Sequence, residues 1–508
     1  MKKILTSAAV ILSLIVPSIS MAVPTDFSGG VNNEHLYEEV VFLTGKPIKF
    51  VGEVKISEKH KTDTSSVTYK MNMTPHADYM EEFEGAKYNK SVTYDTKYSE
   101  HVGIGQSIGE TTVGKYSESL QVDGIKIDLK DYRFSKADTI DKRPASDFYS
   151  GDIIGRKYYS VSGEVSGNIT VDISGTNSGY ENFWGVAETQ SIDHTITSSM
   201  IGEKNDDETQ APNADGSEEK LETFIAGKWT GTVNIKSSDS LTKKLQYSLN
   251  DAHHSSFEGG HVRVTNEEAV SKYRYSLPTG KGTLNLNAQN SPKLERLIVP
   301  KFRDVNGHWA AEDIQKLYSL DVFSGGESVF SPNTPMSRLD FTKAVIKSCD
   351  IRSTEDTKKK SSRKSKEESL FSDLSINNPD YEYVKSAVEK EVITGNQDEF
   401  GNRTFMPDKN LTRAEAITIL IRALGFENRA PNPGYVTSFS DDAKIPSWAK
   451  DSIYMAKEIN LIQGDTSNRV NPDKQLSRAE ASTMIVKFLE FLEHDLQKDY
   501  RENIINFN

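Results

Sequence analysis

The chain has a single cysteine, Cys349, among 508 residues. No intramolecular disulfide can form, so each domain must hold together on an ordinary apolar core. Cys349 itself sits in an apolar-periodic stretch and reads as a small core residue. Surplus positive charge is missing too: 74 Asp and Glu stand against 61 Lys and Arg, for a net charge of −13. That argues against nucleic acid as a partner. After residue 22 no apolar run is long enough to span a bilayer as a helix. There is no H-E-x-x-H, no C-x-x-C and no EF-hand loop. His253 and His254 are adjacent, and neighbours on a strand face opposite ways, so they would not share a metal. The scattered acids select no Ca²⁺ site by spacing, and no cofactor or metal is expected. The segment GQSIG at Gly105–Gly109 matches G-x-S-x-G, but a nucleophile elbow needs a helix after it. No helical stripe follows, so neither Ser107 nor any other residue is assigned a catalytic role.

The first 22 residues are different in kind. Lys2 and Lys3 precede the apolar ILTSAAVILSLIVPSIS and the small-residue site SMA. This is the pattern of a cleaved export signal, so a secreted protein is expected. From residue 30 to 298 the chain is rich in short alternating runs, such as KFVGEVKI, SVTYKMNM and WTGTVNIKS. Period two with Gly, Asn, Asp and Ser turns predicts an all-β region, a sandwich or a multi-sheet assembly. Two β-rich parts are expected, 30–200 and 221–298, around an acidic linker at 201–220. Whether they form one domain or two is open. Trp184 and Trp229 lie in alternating apolar runs and are expected in a β core.

Near Pro300 the apolar period changes to three and four, the mark of amphipathic helix. Three units follow, expected at 299–351, 370–427 and 437–492, with a basic insertion at 352–369 and a tail at 493–508. Each opens F-x-D, at Phe302/Asp304, Phe371/Asp373 and Phe439/Asp441. Each then carries a glycine, Gly325, Gly395 or Gly464, expected as the left-handed residue that closes the first helix. Each next shows a proline six residues before an arginine: Pro332/Arg338, Pro407/Arg413, Pro472/Arg478. Thr412 with Glu415 and Ser477 with Glu480 have capping-box spacing. Ser337 with Asp340 is a shorter-armed version.

Capping does not account for the arginine. It stands at the first helical position, where the helix dipole disfavours a cation. It makes sense if it points at an anion, which the helix start would also attract through its amides. From the residues alone, that anion is either a ligand or Asp304, Asp373 and Asp441.

These three units resemble the S-layer homology (SLH) family, on the F-x-D openings, HWA at His308–Ala310, SWA at Ser447–Ala449, the glycines, and the TRAE-type signature at Thr412–Glu415 and Ser477–Glu480. Ser337–Asp340 is degenerate, and Pro379 stands where unit two should have tryptophan, with Tyr381 or Tyr383 expected to fill the space. The resemblance implies an all-α, pseudo-threefold spindle that binds secondary cell-wall polysaccharide without covalent attachment. It implies a pyruvylated sugar, whose carboxylate suits the arginines. The implied binding residues are Arg413, Arg478, Arg338, Asp304, Asp373, Asp441, Trp309, Trp448, Gly325, Gly395 and Gly464. Arg413 and Arg478 are ranked above Arg338 because their signatures are intact. The expected role is a non-catalytic S-layer or S-layer-associated protein of a monoderm-type bacterium. Self-association is expected through the β region. The alternatives are an SLH-anchored polysaccharide enzyme and an adhesin.

Overall fold

The computed structural model describes residues 27–33, 36–61, 63–101, 105–202, 225–248, 260–297, 302–323, 328–349, 368–431 and 436–495. The expected export signal, Gly325, His253 and His254 lie outside them. So do most of the acidic segment, the basic insertion and the tail.

The alternating runs form strands: β1 Val31–Asn32, β2 Tyr37–Val41, β3 Ile48–His60, β4 Thr64–Pro75, β5 Lys87–His101, β6 Gln106–Val122 and β7 Ile125–Lys142. They continue as β8 Ser146–Ser162, β9 Val165–Asn182, β10 Gly185–Gly202, β11 Lys228–Ser248, β12 Gly260–Leu277, β13 Gly280–Gln289 and β14 Lys293–Arg296. The expected sandwich or multi-sheet assembly is not what forms. All of them join one 14-stranded antiparallel sheet in sequence order, with β14 pairing back on β12. β10 and β11 pair from Gly185↔Thr242 to Ser199↔Lys228, so the strands on either side of the expected linker belong to one sheet. The sheet curls until β1 meets β12 and β13, and is nearly closed. Tyr273 Oη donates across the gap to the carbonyls of Ser28 (3.0 Å) and Gly29 (2.6 Å).

A curled sheet must keep one set of side chains inside, yet strict alternation fails in two strands. In β6 the inward set is Ser107, Gly109 and Thr111, then Glu118, Leu120 and Val122. An irregularity near Gly114 switches the parity, where a Cβ would lie 2.4 Å from Asp95 Oδ2. In β7 the extra residue Lys130 does the same between Ile127 and Tyr132. Each bulge keeps the interior filled while the strand bends.

The upper interior is apolar, packed with Phe50, Tyr88, Ile127, Ile169 and Tyr273 among others. At its middle lies a buried ionic network. Lys90 Nζ donates to both oxygens of Glu39 (3.0 and 3.2 Å), and Lys157 Nζ to Glu118 (2.8 Å). Tyr88 and Tyr159 donate to Glu118 at 2.8 and 2.7 Å. Burial would raise the Glu118 carboxyl, but Lys157 and Lys90 hold it below its ordinary value. Burial, then the Glu118 charge, pushes both tyrosines well above theirs. The lower interior is polar, with Asp138, Asn177, Glu188, Gln190 and Asp239 facing inward. Ser107 is fully buried there near the start of β6, which leads on into β7 and not into a helix.

The C-terminal part is helical: α1 Ala311–Ser319, α2 Arg338–Ser348, α3 Tyr381–Glu389, α4 Arg413–Leu424, α5 Ser447–Glu458 and α6 Arg478–Glu490. Their apolar faces share one core, which includes Leu317, Phe341, Cys349, Val384, Leu420, Ile453 and Phe488. Ala145 and Trp184 join that same core from the sheet. Trp184 is thus buried between sheet and helices rather than inside the β core, whereas Trp229 packs on the β core. Asn182 Nδ2 donates to the Leu492 carbonyl (3.2 Å), and Arg143 Nη1 to that of Gly425 (3.4 Å). The repeats therefore dock on the polar end of the curled sheet.

Candidate functional site

The first helix of each repeat ends in a left-handed residue, but not at the expected glycine. Asp321 (φ 58°), Glu391 (φ 58°) and Asn460 (φ 57°) take that place. Around Asp321 the amides of Asp321 and Val322 reach the carbonyls of Tyr318 and Leu317, the two bonds of a Schellman motif. Asn460 and Leu461 repeat it onto Lys457 and Ala456. Burial of Val322, Val392 and Leu461 fixes where the turn falls, ahead of the more permissive glycine. Gly395 has another reason to be glycine: its φ is +78°, and a Cβ would lie 2.5 Å from the Phe371 ring. A Cβ on Gly464 would press on the Asn468 backbone at 2.8 Å.

The F-x-D aspartates do not pair with the arginines. Each accepts two successive backbone amides of the proline loop. Asp304 takes Phe330 and Ser331 (2.8 and 2.6 Å), Asp373 takes Phe405 and Met406 (2.8 and 2.7 Å), and Asp441 takes Val470 and Asn471 (both 2.8 Å). Ser331, Met406 and Asn471 all have positive φ, at 56°, 59° and 53°. The carboxylate holds a loop conformation that these residues would otherwise avoid. Although desolvation raises the Asp304 carboxyl, the amides of Phe330 and Ser331 bring it below its ordinary value.

That loop serves the neighbouring repeat. Met336 N donates to Leu476 O, Leu476 N to Leu411 O, and Leu411 N to Met336 O, at 2.8 to 2.9 Å. The three repeats thus close a ring of main-chain bonds. The first two amides of each arginine helix are consumed the same way. Arg338 and Leu339 donate to Lys409 and Pro407, Arg413 and Ala414 to Lys474 and Pro472, and Arg478 and Ala479 to Thr334 and Pro332. The third amide goes to the cap: Ser337, Thr412 or Ser477. Reciprocal boxes are complete at Thr412/Glu415 and Ser477/Glu480, whereas Asp340 does not reach back to Ser337. At the Arg413 and Arg478 helix starts the cap amide and the three after it are all partnered, so the expected meeting of one carboxylate with both amides and arginine does not arise there. The side chain alone is available.

Each arginine lies across the next repeat in the ring. Arg338 stacks over Phe405 (5.5 Å) with Nη1 3.6 Å from Glu415 Oε1, and it is 8% exposed. Arg478 stacks over Phe330 (4.6 Å), and its nearest carboxylate oxygen, on Asp340, is 4.0 Å away. In repeat three Val470 stands at the sequence position of Phe405 and Phe330. Arg413 donates to the Gln463 carbonyl (3.3 Å) and has no ion pair among the described residues. Burial lowers the Arg338 and Arg413 guanidinium pKa values, opposed by Glu415 and by Glu480 respectively. Nε of Arg338 and of Arg478 is buried without a hydrogen-bond partner among the described residues. The capping glutamates thus act twice, on their own helix start and on a neighbour's arginine. Spacing within one repeat could not show the second role.

Trp309 and Trp448, at the starts of α1 and α5, are 66% and 52% exposed. In repeat two Tyr381 is core, bonded by the Leu370 amide, and does not replace them; Tyr383 is half-buried.

Comparison with known proteins gives the arrangement a family. The S-layer homology domain model matches residues 301–342, 370–417 and 438–482. A cellulosome-anchoring protein of Acetivibrio thermocellus is 38% identical over 88 residues, 17% of this chain and 20% of that protein. A surface layer protein of Brevibacillus choshinensis is 33% identical over 92 residues, 18% of this chain and 8% of that protein. An exoglucanase of Acetivibrio thermocellus is 28% identical over 218 residues, 42% of this chain and 18% of that protein. The chain spans a fifth or less of the length of these relatives. No described helix is long and apolar enough to cross a membrane.

Proposed function

Because the C-terminal part of this chain carries three S-layer homology domains, we propose that it is a non-catalytic surface protein held to anionic, pyruvylated cell-wall polysaccharide. The repeats form a pseudo-threefold spindle, and the arginine grooves between them take the sugar carboxylate. The observation that carries this reading is the state of two arginines. Arg413 and Arg478 lie half-buried between repeats, and neither closes a short carboxylate pair. A planar fork in that state matches a carboxylate ligand. Arg338 is sealed against Glu415 and Phe405, which supports ranking it last. Exposed Trp309 and Trp448 supply sugar-stacking faces beside the grooves of repeats one and three.

The test is co-sedimentation with wall sacculi. The chain is expected to pellet with sacculi that retain their polysaccharide and to stay in solution with stripped ones; equal pelleting would sink the reading. Arg413→Ala with Arg478→Ala should weaken pelleting far more than Arg338→Ala. The exoglucanase relative keeps a glycan-cleaving enzyme as the second reading. Sugar release from wall glycan by the purified chain would replace the first reading with it.

A further inference from the structure

The curled sheet is sealed only along part of its seam. β1 meets β12 and β13, and β2 pairs with β3 from Tyr37↔Gly52 to Val41↔Ile48. Beyond Gly52, β3 continues to His60 with β4 on one side and, among the described residues, no strand on the other. This overhang, EVKISEKH, is solvent-exposed on nearly every residue, and Ile56 at its middle is 44% exposed. It holds no proline and no bulge, two of the devices that blunt a free edge, and its charges alternate in sign, Glu53 and Glu58 with Lys55 and Lys59.

We propose that this edge pairs with the same edge of a second copy of the chain, antiparallel, about a two-fold axis through Ile56. The register follows from the sequence. Outward-facing N–H and C=O groups recur at every second residue of a strand. Residues opposite one another in a two-fold pair therefore share parity, and the axis must pass through a residue. Centred on Ile56, Glu53 faces Lys59 twice, and Ile56 faces its own copy. Centring on Lys55 sets Lys55 against itself. Centring on Ser57 sets Lys55 against Lys59, and centring on Glu58 sets Glu58 against itself. Centring on Val54 sets Glu53 against Lys55, but it would lay Ile56 on Gly52, whose edge β2 already holds. Like charges directly opposite destabilise a pair, so among the registers left open the charges select Ile56. The edge alone is smaller than the ~1,200 Å² of a typical stable interface, so the dimer belongs to the weak class.

Sedimentation equilibrium of the purified full chain, across a wide concentration range and without wall material, reads this directly. It does not depend on the wall-binding reading. A monomer–dimer equilibrium is expected. Glu53→Lys alone or Lys59→Glu alone should each weaken it about tenfold, since two attractive pairs become repulsive, roughly 1.4 kcal/mol in all. The double reversal should restore it. All these positions are exposed, and far-ultraviolet circular dichroism confirms that each variant folds. A strictly monomeric chain, single variants that associate like the parent, a double variant without rescue, or open-ended growth beyond a dimer would each overturn the proposal.

Discussion

The helical repeats and the curled sheet both bury polar groups, but they partner them in different ways. In the repeats, a carboxylate such as Asp441 holds two adjacent amides of its own repeat, and the same device appears three times. In the sheet, Glu39 meets Lys90 and Glu118 meets Lys157, partners 51 and 39 residues apart that no other strands repeat. The repeats fix main chain by carboxylate-to-amide bonds within one unit; the sheet neutralises charge by closing on itself. The first kind of burial should yield in small local steps, and the second should fail as a whole.

Substitutions can test that contrast. The largest loss is expected for Lys157→Met, which leaves Glu118 buried without its nearest cation and should cost about 3–5 kcal/mol in urea unfolding of the sheet. Adding Glu118→Gln should recover much of the loss; a single variant as stable as the parent would break the contrast. Next is Asp239, directly across from Glu188, whose pKa is raised from 3.8 to about 8 by burial and by the Glu188 charge. The folded protein keeps that proton while the unfolded chain releases it, so stability falls as pH rises from about 4 to about 8. Asp239→Asn should remove this slope and stabilise by on the order of 5 kcal/mol near pH 8, with parent and variant converging below about pH 4. Asp441→Ala comes third: it strands two buried amides and should cost about 2–3 kcal/mol, confined to the repeats and visible as local loss of hydrogen-exchange protection. Asp304, held below its ordinary 3.8, contributes stability that is present above that value and lost as pH falls through the lowered one. The smallest is Thr412→Ala, about 1 kcal/mol for a complete capping box, with Ser337→Ala costing less because Asp340 does not close its box.

How much was legible follows the same division. The change of period near Pro300, the strands and the capping residues were readable because each rests on neighbours within a few positions. The two bulges were not, because an extra residue at Lys130 looks like ordinary alternation until the partner strand is known. Nothing local to Lys90 or Glu118 announces a buried partner, which lies 51 or 39 residues away. The F-x-D aspartates were readable as a motif, with pairing to an arginine left open, but not as clamps on a loop. An arginine is the obvious partner by charge, and two backbone amides leave no mark in the sequence. The glycines misled in the same way: Gly395 serves the packing of Phe371, and the turn falls earlier, where Val392 is buried.

The ring of main-chain bonds through Met336, Leu411 and Leu476 has a consequence for counting. Each repeat donates to one neighbour and accepts from the other, so two repeats would leave a donor and an acceptor exposed, and a fourth would have nowhere to dock. Three is the number at which this assembly becomes self-terminating. Each groove lies between two repeats, so losing any one repeat breaks two of the three grooves, not one.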